Sequence, residues 1–477
     1  MGYKPKIADS PSVSVLDIKT KPYFVVASVE VGNTTTKCIL MATNLEDGKS
    51  RHLTKNISMT RDVRKPKPGE TVFGKTLSGV DFTRESVAEL VRDTLLDAVK
   101  KAKLDVKNDL NFVVRSTGVV AGFDVPDDVG EFIKAMADGC LMAGVPPNKM
   151  TPPMSVDNIP KSYRKYSKLD QVIFDGAVAS VNPPTGATGV EIVANEMEGE
   201  LVTAGIKEGA KWVDIDFRNP CISIDFGTTL AGRIISPDEP YANTIGNFCG
   251  YAGAIPDAII RGTGQVDEKL GTALEIFDKK VMNFIKLKFK DNTIQNYVEK
   301  AHEYINIEKV PENRTKYGSV PVNPSAAKED GVTLIGCDVG DNGSGLDELM
   351  KLGAEIYQKE GIDVVYAVID EVMAKVVYRL IKVANEEGLV FDDTAIGLSG
   401  RAALTGNKPK LILKYLDELK LHDKIDDHVV FVDDGLARGA AVMARCMNSL
   451  GTPFNPLGGH RGGKCILGER IKLQSRK

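Results

Sequence analysis

Two stretches decide how this chain is read: Val29-Glu30-Val31-Gly32-Asn33-Thr34-Thr35-Thr36-Lys37 and Ile224-Asp225-Phe226-Gly227-Thr228-Thr229-Leu230-Ala231-Gly232. Each sets an acid near the end of an apolar, strand-like run, then one residue and a glycine, then small hydroxylated residues where the chain turns back. Glycine lets the backbone bend sharply and approach a ligand with no Cβ in the way. Successive N–H groups in such a turn form an anion-binding concavity, to which threonine hydroxyls add donors. Lys37 adds a positive charge suited to phosphate oxygens. Glu30 and Asp225 would repel phosphate unless a cation intervenes, so their expected task is to hold water around Mg²⁺ or to orient an attacking water. One such turn is a common hairpin; two in the same order are far more specific.

The surrounding pattern is α/β. Strand-like runs are expected at Tyr23–Val29, Cys38–Ala42, Asn111–Arg115, Gln171–Phe174 and Gly189–Val193 in the first half. In the second they fall at Cys221–Ile224, Gly232–Ile235, Val332–Cys337, Ala395–Leu398 and Val429–Val432. Val87, Leu90, Val91, Leu95 and Ala98 form one helical stripe. Val365, Val368, Ile369, Val372, Val376, Leu380 and Val383 form another over about 364–386, which Gly388 could stop. A mostly polar helical stretch is expected over 265–307, irregular chain over 310–331, and a basic Pro/Gly loop over 60–82. A last helix, Ala437–Met447, follows Asp433-Asp434-Gly435. Strands alternating with helices predict parallel or mixed sheets. The repeated opening device predicts a duplicated fold with a cleft between its halves.

Size and composition set the limits. The chain has 477 residues, enough for two or three domains. It is 42% hydrophobic and 26% charged, with net charge -4, an ordinary globular balance that implies no general pull toward nucleic acid or anionic membrane. No apolar run reaches membrane-spanning length and no secretory block opens the sequence, so a cytoplasmic protein is expected. The 7 cysteines form no CxxC pair and read as buried, reduced thiols.

The two turns resemble the phosphate-1 and phosphate-2 motifs of the actin, sugar-kinase and heat-shock ATPase superfamily. GNTTTK at 32–37 is most similar to diol dehydratase reactivases and to activators of 2-hydroxyacyl-CoA dehydratases and corrinoid proteins. Ile396-Gly397-Leu398-Ser399-Gly400-Arg401-Ala402-Ala403 resembles the adenosine turn, and Gly435-Leu436-Ala437-Arg438-Gly439-Ala440-Ala441 the small-residue helix that closes the fold. Across its whole length the chain looks like the methanogenesis marker protein 14 family of archaeal methanogens.

The resemblance implies a duplicated actin-like (ribonuclease H-like) ATPase fold with two lobes around a nucleotide cleft. Its expected parts are a flexible tail at 1–22, lobes at 23–215 and 216–450, and a basic Gly-rich tail at 451–477. It implies ATP with Mg²⁺, with Glu30 and Asp225 at the metal and the catalytic water. Gly32, Asn33, Thr34, Thr35, Lys37, Gly227, Thr228 and Thr229 would face the phosphates, and Gly397, Ser399, Gly400 and Arg401 the adenosine. Two departures bear on hydrolysis more than on binding: Glu30 replaces the usual Asp, and Ser399 replaces a second glycine.

The implied function is an ATP-dependent activator or reactivating chaperone whose client is a metalloenzyme or corrinoid protein, with a homodimer among its assemblies. Alternatives are a small-molecule kinase of the same superfamily and a nucleotide-binding scaffold without turnover. Other motifs read more plainly. Asn247–Gly253 loosely resembles the cysteine run that binds a cluster in dehydratase activators, but a packed Cys249 is the better reading. Gly458–Cys465 lacks the hydroxyl, strand and helix of a P-loop. Asp338–Gly345 reads as an Asx/Gly turn without dinucleotide spacing. Lys161–Lys168 reads as a solvated loop.

Overall fold

A computed structural model describes residues 2–119, 123, 126–150, 153–154, 172–175, 178–181, 191–237, 244–276, 291–329 and 331–447. Its chain divides into two compact units, one from Asp9–Trp212 with the chain from Asp434 onward, the other from Met1–Ala8 and Val213–Asp433. The strands, in chain order, are β1 (Lys6–Ala8), β2 (Tyr23–Val31), β3 (Thr35–Asn44), β4 (Ser50–Met59), β5 (Val72–Lys75), β6 (Asp81–Thr83), β7 (Phe112–Thr117), β8 (Pro153–Met154), β9 (Val172–Asp175) and β10 (Val178–Val181). They continue with β11 (Cys221–Phe226), β12 (Leu230–Ile235), β13 (Thr244–Gly250), β14 (Ile305–Lys309), β15 (Lys316–Tyr317), β16 (Val320–Pro321), β17 (Thr333–Val339), β18 (Ala395–Ser399) and β19 (Val429–Val432).

The first unit is built on a sheet in the order β4-β3-β2-β7. β2, β3 and β4 are antiparallel neighbours, and β7 lies parallel to β2 on its other side. Alternate residues Val25, Ala27, Val29 and Val31 of β2 are buried in one cluster with Val87, Val91, Leu95 and Ala98 of helix Arg84–Lys101. The expected helical stripe is therefore the face that covers the sheet. Thr83 caps this helix reciprocally with Ser86.

The second unit carries an eight-stranded sheet, β1-β19-β18-β11-β12-β13-β17-β14. Its centre repeats the arrangement of the first. β11, β12 and β13 are antiparallel neighbours, β18 lies parallel to β11, and β19 parallel to β18. Helix Ile362–Glu386 packs Val365, Val368, Val372, Val376 and Leu380 into the core with Ile222, Ile224, Ile396 and Leu398. Burying each such side chain stabilises by about 1.5–3 kcal/mol. Gly388 follows the helix at φ +73, as its stop residue should.

Several expectations need correction. Residues 1–22 are not a bare tail: β1 pairs with β19 and forms an edge of the sheet, Lys6 Nζ lies 3.0 Å from Asp427, and Ser14 caps helix Val15–Thr20. A three-residue strand has no periodicity of its own; its partner lies far along the chain. Residues 191–193 begin helix Glu191–Ala210 rather than ending a strand. The stretch 265–307 includes helix Asp291–Glu303 but ends in β14, which pairs antiparallel with β17. The irregular stretch 310–331 contains β15, β16 and helix Pro324–Glu329, and the 60–82 loop contains β5 and β6.

Helix Gly435–Met447 belongs with the first unit, not with the lobe expected at 216–450. Its small residues explain why. A Cβ on Gly439 would lie 2.0 Å from the Leu201 carbonyl, and one on Gly205 1.8 Å from that of Gly435. The helix therefore meets Glu191–Ala210 backbone to backbone. Among the described residues no helix is long and apolar enough to cross a membrane.

Candidate functional site

In the second unit β11, β13, β17, β18 and β19 run in one direction, so their carboxyl ends share an edge. Open α/β sheets bind ligands outside such ends. The β11–β12 hairpin turns here through Gly227, Thr228 and Thr229, with Phe226 opposite Leu230 and Asp225 opposite Ala231. Asp225 is 8% exposed, and the residue beside it on β18 is Ser399. Asp225, Gly227, Thr228, Thr229, Ser399, Gly400 and Arg401 thus gather at one edge. Gly397 does not reach it; it lies inside β18 between Ser223 and Val430.

Backbone holds this turn from two sides. The carbonyl of Gly227 accepts from the Gly253 N–H at 2.7 Å, and that of Thr228 accepts from Ala252 at 3.1 Å and Ala254 at 3.2 Å. A Cβ on Gly253 would lie 2.7 Å from the Gly227 oxygen. On the other side Gly400, at φ +89, lies so close to Phe226 that a Cβ would come within 2.4 Å of its carbonyl oxygen. Those two glycines let neighbouring segments brace the turn. Gly253 closes the Asn247–Gly253 run, whose glycine therefore serves packing. Cys249 in that run is buried in β13, and burial pushes its thiol far above the usual range.

In the first unit, β2 and β3 turn through Gly32, Asn33 and Thr34, with the Gly32 N–H donating to the Thr35 carbonyl at 3.0 Å. Glu30 stands opposite Lys37, whose Nζ is 3.3 and 3.4 Å from the two carboxylate oxygens. Both side chains are largely buried, at 24% and 19% exposure for Lys37 and Glu30. Thr35 is buried, and Asn33 accepts from the Leu77 N–H at 2.9 Å through its side-chain oxygen. Thr60, just beyond β4, braces this turn: its N–H donates to the Thr34 carbonyl at 3.0 Å and its hydroxyl to the Gly32 carbonyl at 2.8 Å. Nothing in the local sequence singles out Thr60. Glu30 lies beside Ser116 on β7, just as Asp225 lies beside Ser399 on β18.

The remaining candidates separate from these edges. Asp338 accepts from the Val339, Asn342 and Gly343 N–H groups at 2.7–2.9 Å, so its carboxylate closes an Asx turn. Cys38, Cys140, Cys221, Cys249 and Cys337 are buried thiols in no disulfide. Among the described residues no group of three or more His, Cys, Asp or Glu could hold a metal ion by itself. Lys161–Lys168 and Gly458–Cys465 lie outside the described residues.

Residues 23–474 match the family of uncharacterized proteins conserved in archaea, DUF2114, and the chain belongs to it. It is 56% identical over 476 residues to an uncharacterized protein of Methanocaldococcus jannaschii, spanning 99% of this chain and 96% of that one. An uncharacterized protein of Methanothermobacter thermautotrophicus is 55% identical over 493 residues, spanning 100% and 91%. Among solved structures, a reductive activator for a corrinoid, iron-sulfur protein matches at TM-score 0.35 and 10% identity, over 95% of this chain and 62% of that one. A gluconate kinase from Lactobacillus acidophilus matches at TM-score 0.32 and 11% identity, over 89% of each. Both structural likenesses are weak.

Proposed function

We propose that this member of the archaeal family is an actin-like ATPase that binds ATP with Mg²⁺ and serves as an activator or reactivating chaperone for a metallo- or cobamide-dependent enzyme, in a role tied to methanogenesis. One observation supports the nucleotide reading above all. The same hairpin, with an acid before the turn, a glycine in it and threonines leaving it, lies at the end of β2 and of β11, and the four strands β13-β12-β11-β18 repeat the order β4-β3-β2-β7. A turn of this kind suits phosphate, because its glycine leaves the backbone open to approach. The client class rests on the likeness of GNTTTK to the reactivases and activators.

The donor set in the second unit fits a phosphate–magnesium group: a carboxylate, two threonine hydroxyls and a serine beside glycines that keep the backbone bare. Asp225 would hold the ion through water, Thr228 and Thr229 would meet phosphate oxygens, and Ser399, Gly400 and Arg401 would lie on the nucleoside side. Magnesium, when bound, supplies charge neutralisation for the phosphates. Asp225 has alanine opposite it in the hairpin, where Glu30 has Lys37, and a carboxylate at this edge suits orienting water. Glu30, opposite Lys37, is suited to holding that ammonium toward phosphate.

Calorimetry with ATP and Mg²⁺ tests the nucleotide reading; wild-type protein that binds no adenine nucleotide refutes it. Phosphate release without an added metabolite, rising when a corrinoid enzyme is supplied, is the expected result for an activator. Transfer of phosphate to a metabolite would replace that reading with a kinase.

A further inference from the structure

The proposed nucleoside segment is held at its far end by a buried ion pair that the nucleotide chemistry does not use. After Gly400, the short helix Arg401–Leu404 leads through Thr405, Gly406 and Asn407 into helix Lys408–Glu418. Asp370, on the long helix Ile362–Glu386, faces this link. Its Oδ1 accepts from Lys408 Nζ at 2.8 Å and its Oδ2 from the Asn407 N–H at 2.8 Å. Exposure of the two charged side chains is only 2% for Lys408 and 5% for Asp370.

The contact continues toward the proposed ligand. Lys408 Nζ also donates to the Thr405 hydroxyl at 3.1 Å and the Thr405 carbonyl at 3.3 Å. That hydroxyl donates in turn to the Arg401 carbonyl at 2.9 Å. Gly406, at φ +66, passes so close that a Cβ would stand 2.5 Å from the Asp370 carboxylate. Residues 400–408 are therefore pinned at both ends, by Gly400 on the Phe226 backbone and by Asp370 on the Gly406–Lys408 backbone and side chains.

A pair of apolar side chains could join these helices equally well, because burying two charges carries a desolvation penalty that rivals their attraction. An ion pair adds direction. Here each partner's hydrogen bonds are spent on the backbone and hydroxyl groups that shape the link. We infer that Asp370 and Lys408, acting through Thr405, are positioning residues that set the shape of the Arg401 turn and thereby its grip on the base and ribose of the nucleotide. This rests on the nucleotide reading above, and it concerns the nucleoside rather than the phosphates.

The test compares ATP with inorganic tripolyphosphate, each with Mg²⁺, by calorimetry on the full chain. Thr405→Val removes the relay while keeping the shape of the side chain. Loss of its two hydrogen bonds is expected to weaken ATP about tenfold and to leave tripolyphosphate within about twofold. Thr405→Ser, which keeps the hydroxyl, should restore ATP binding. The double variant Asp370→Asn/Lys408→Met, which leaves no buried charge unpaired, should show the same selective loss. Equal weakening of both ligands, or unchanged ATP binding in Thr405→Val, overturns the proposal alone. Wild-type protein that binds neither ligand overturns the nucleotide reading and this inference with it.

Discussion

The two hairpins look alike in sequence and differ in what opposes their acids. In the first, six residues lie between Glu30 and its partner Lys37; in the second, five lie between Asp225 and Ala231. The extra residue and the lysine give Glu30 a cation across the hairpin. The bracing differs too. Thr60 supports the first turn with an N–H and a hydroxyl, whereas three backbone N–H groups and two glycine contacts support the second. The lysine across the first hairpin draws the Glu30 carboxylate to itself, whereas the hairpin position opposite Asp225 is an alanine. The second turn is therefore the better candidate for chemistry, and the first for holding phosphate charge.

The comparison is open to direct attack. The largest expected effect is on turnover: Asp225→Asn should lower the rate of ATP hydrolysis by ~10²–10³-fold, while Glu30→Gln costs no more than about tenfold. Steady-state phosphate release measures both, and equal losses would break the distinction. Next comes stability. Gly400→Ala puts a Cβ against the Phe226 backbone at a positive φ and should destabilise by about 4 kcal/mol. Gly32→Ala meets the Thr35 carbonyl at 3.0 Å and the Glu30 carboxylate at 3.6 Å, without a positive φ, and should cost under about 1 kcal/mol. Urea unfolding midpoints would separate them; a Gly32 variant as damaged as the Gly400 variant would mean both turns are braced alike.

The smallest effect lies in the pH dependence of the two units. In the second, burial pushes the Asp257 carboxyl up to about 6, although the Thr272 hydroxyl and Ala273 N–H oppose this. The folded state then binds this proton more tightly than the unfolded chain, so stability falls as pH rises from about 4 to about 6 and stays low above it. Asp257→Asn should regain up to about 3 kcal/mol at pH 7 and almost nothing at pH 4. In the first unit, burial also pushes the Glu208 carboxyl up, but Arg445 and Lys211 outweigh it and leave it below its usual range. That contribution has the opposite slope: it is present above the ordinary glutamate range and is lost on acidification. Unfolding curves at pH 4, 5.5 and 7 that show no gain at pH 7 for the Asp257 variant would count against this contrast.

Much of this was legible in the residues. The strand-then-turn pattern at 29–37 and 224–232, the stripe of Arg84–Lys101 and the long helix stopped at Gly388 are local signals, and local chemistry produces them. The edge strand β1, the strand β14 and the home of helix Gly435–Met447 were not legible, because each depends on a partner far along the chain. Site residues divide the same way. Ser399 and Gly400 were named from a motif, and the structure sets them beside Asp225 and Phe226. Thr60, Gly253 and the Asp370–Lys408 pair left no such trace, since their roles arise only when their neighbours are in place.

By itself the sequence determined the α/β class and the residue types of the two turns, because hydrophobic period and glycine placement act over a few neighbours. Only the tertiary structure decided that one acid faces a lysine and the other an alanine. Register sets which side chains oppose each other, and register depends on the length of the turn and on the strands packed either side of it.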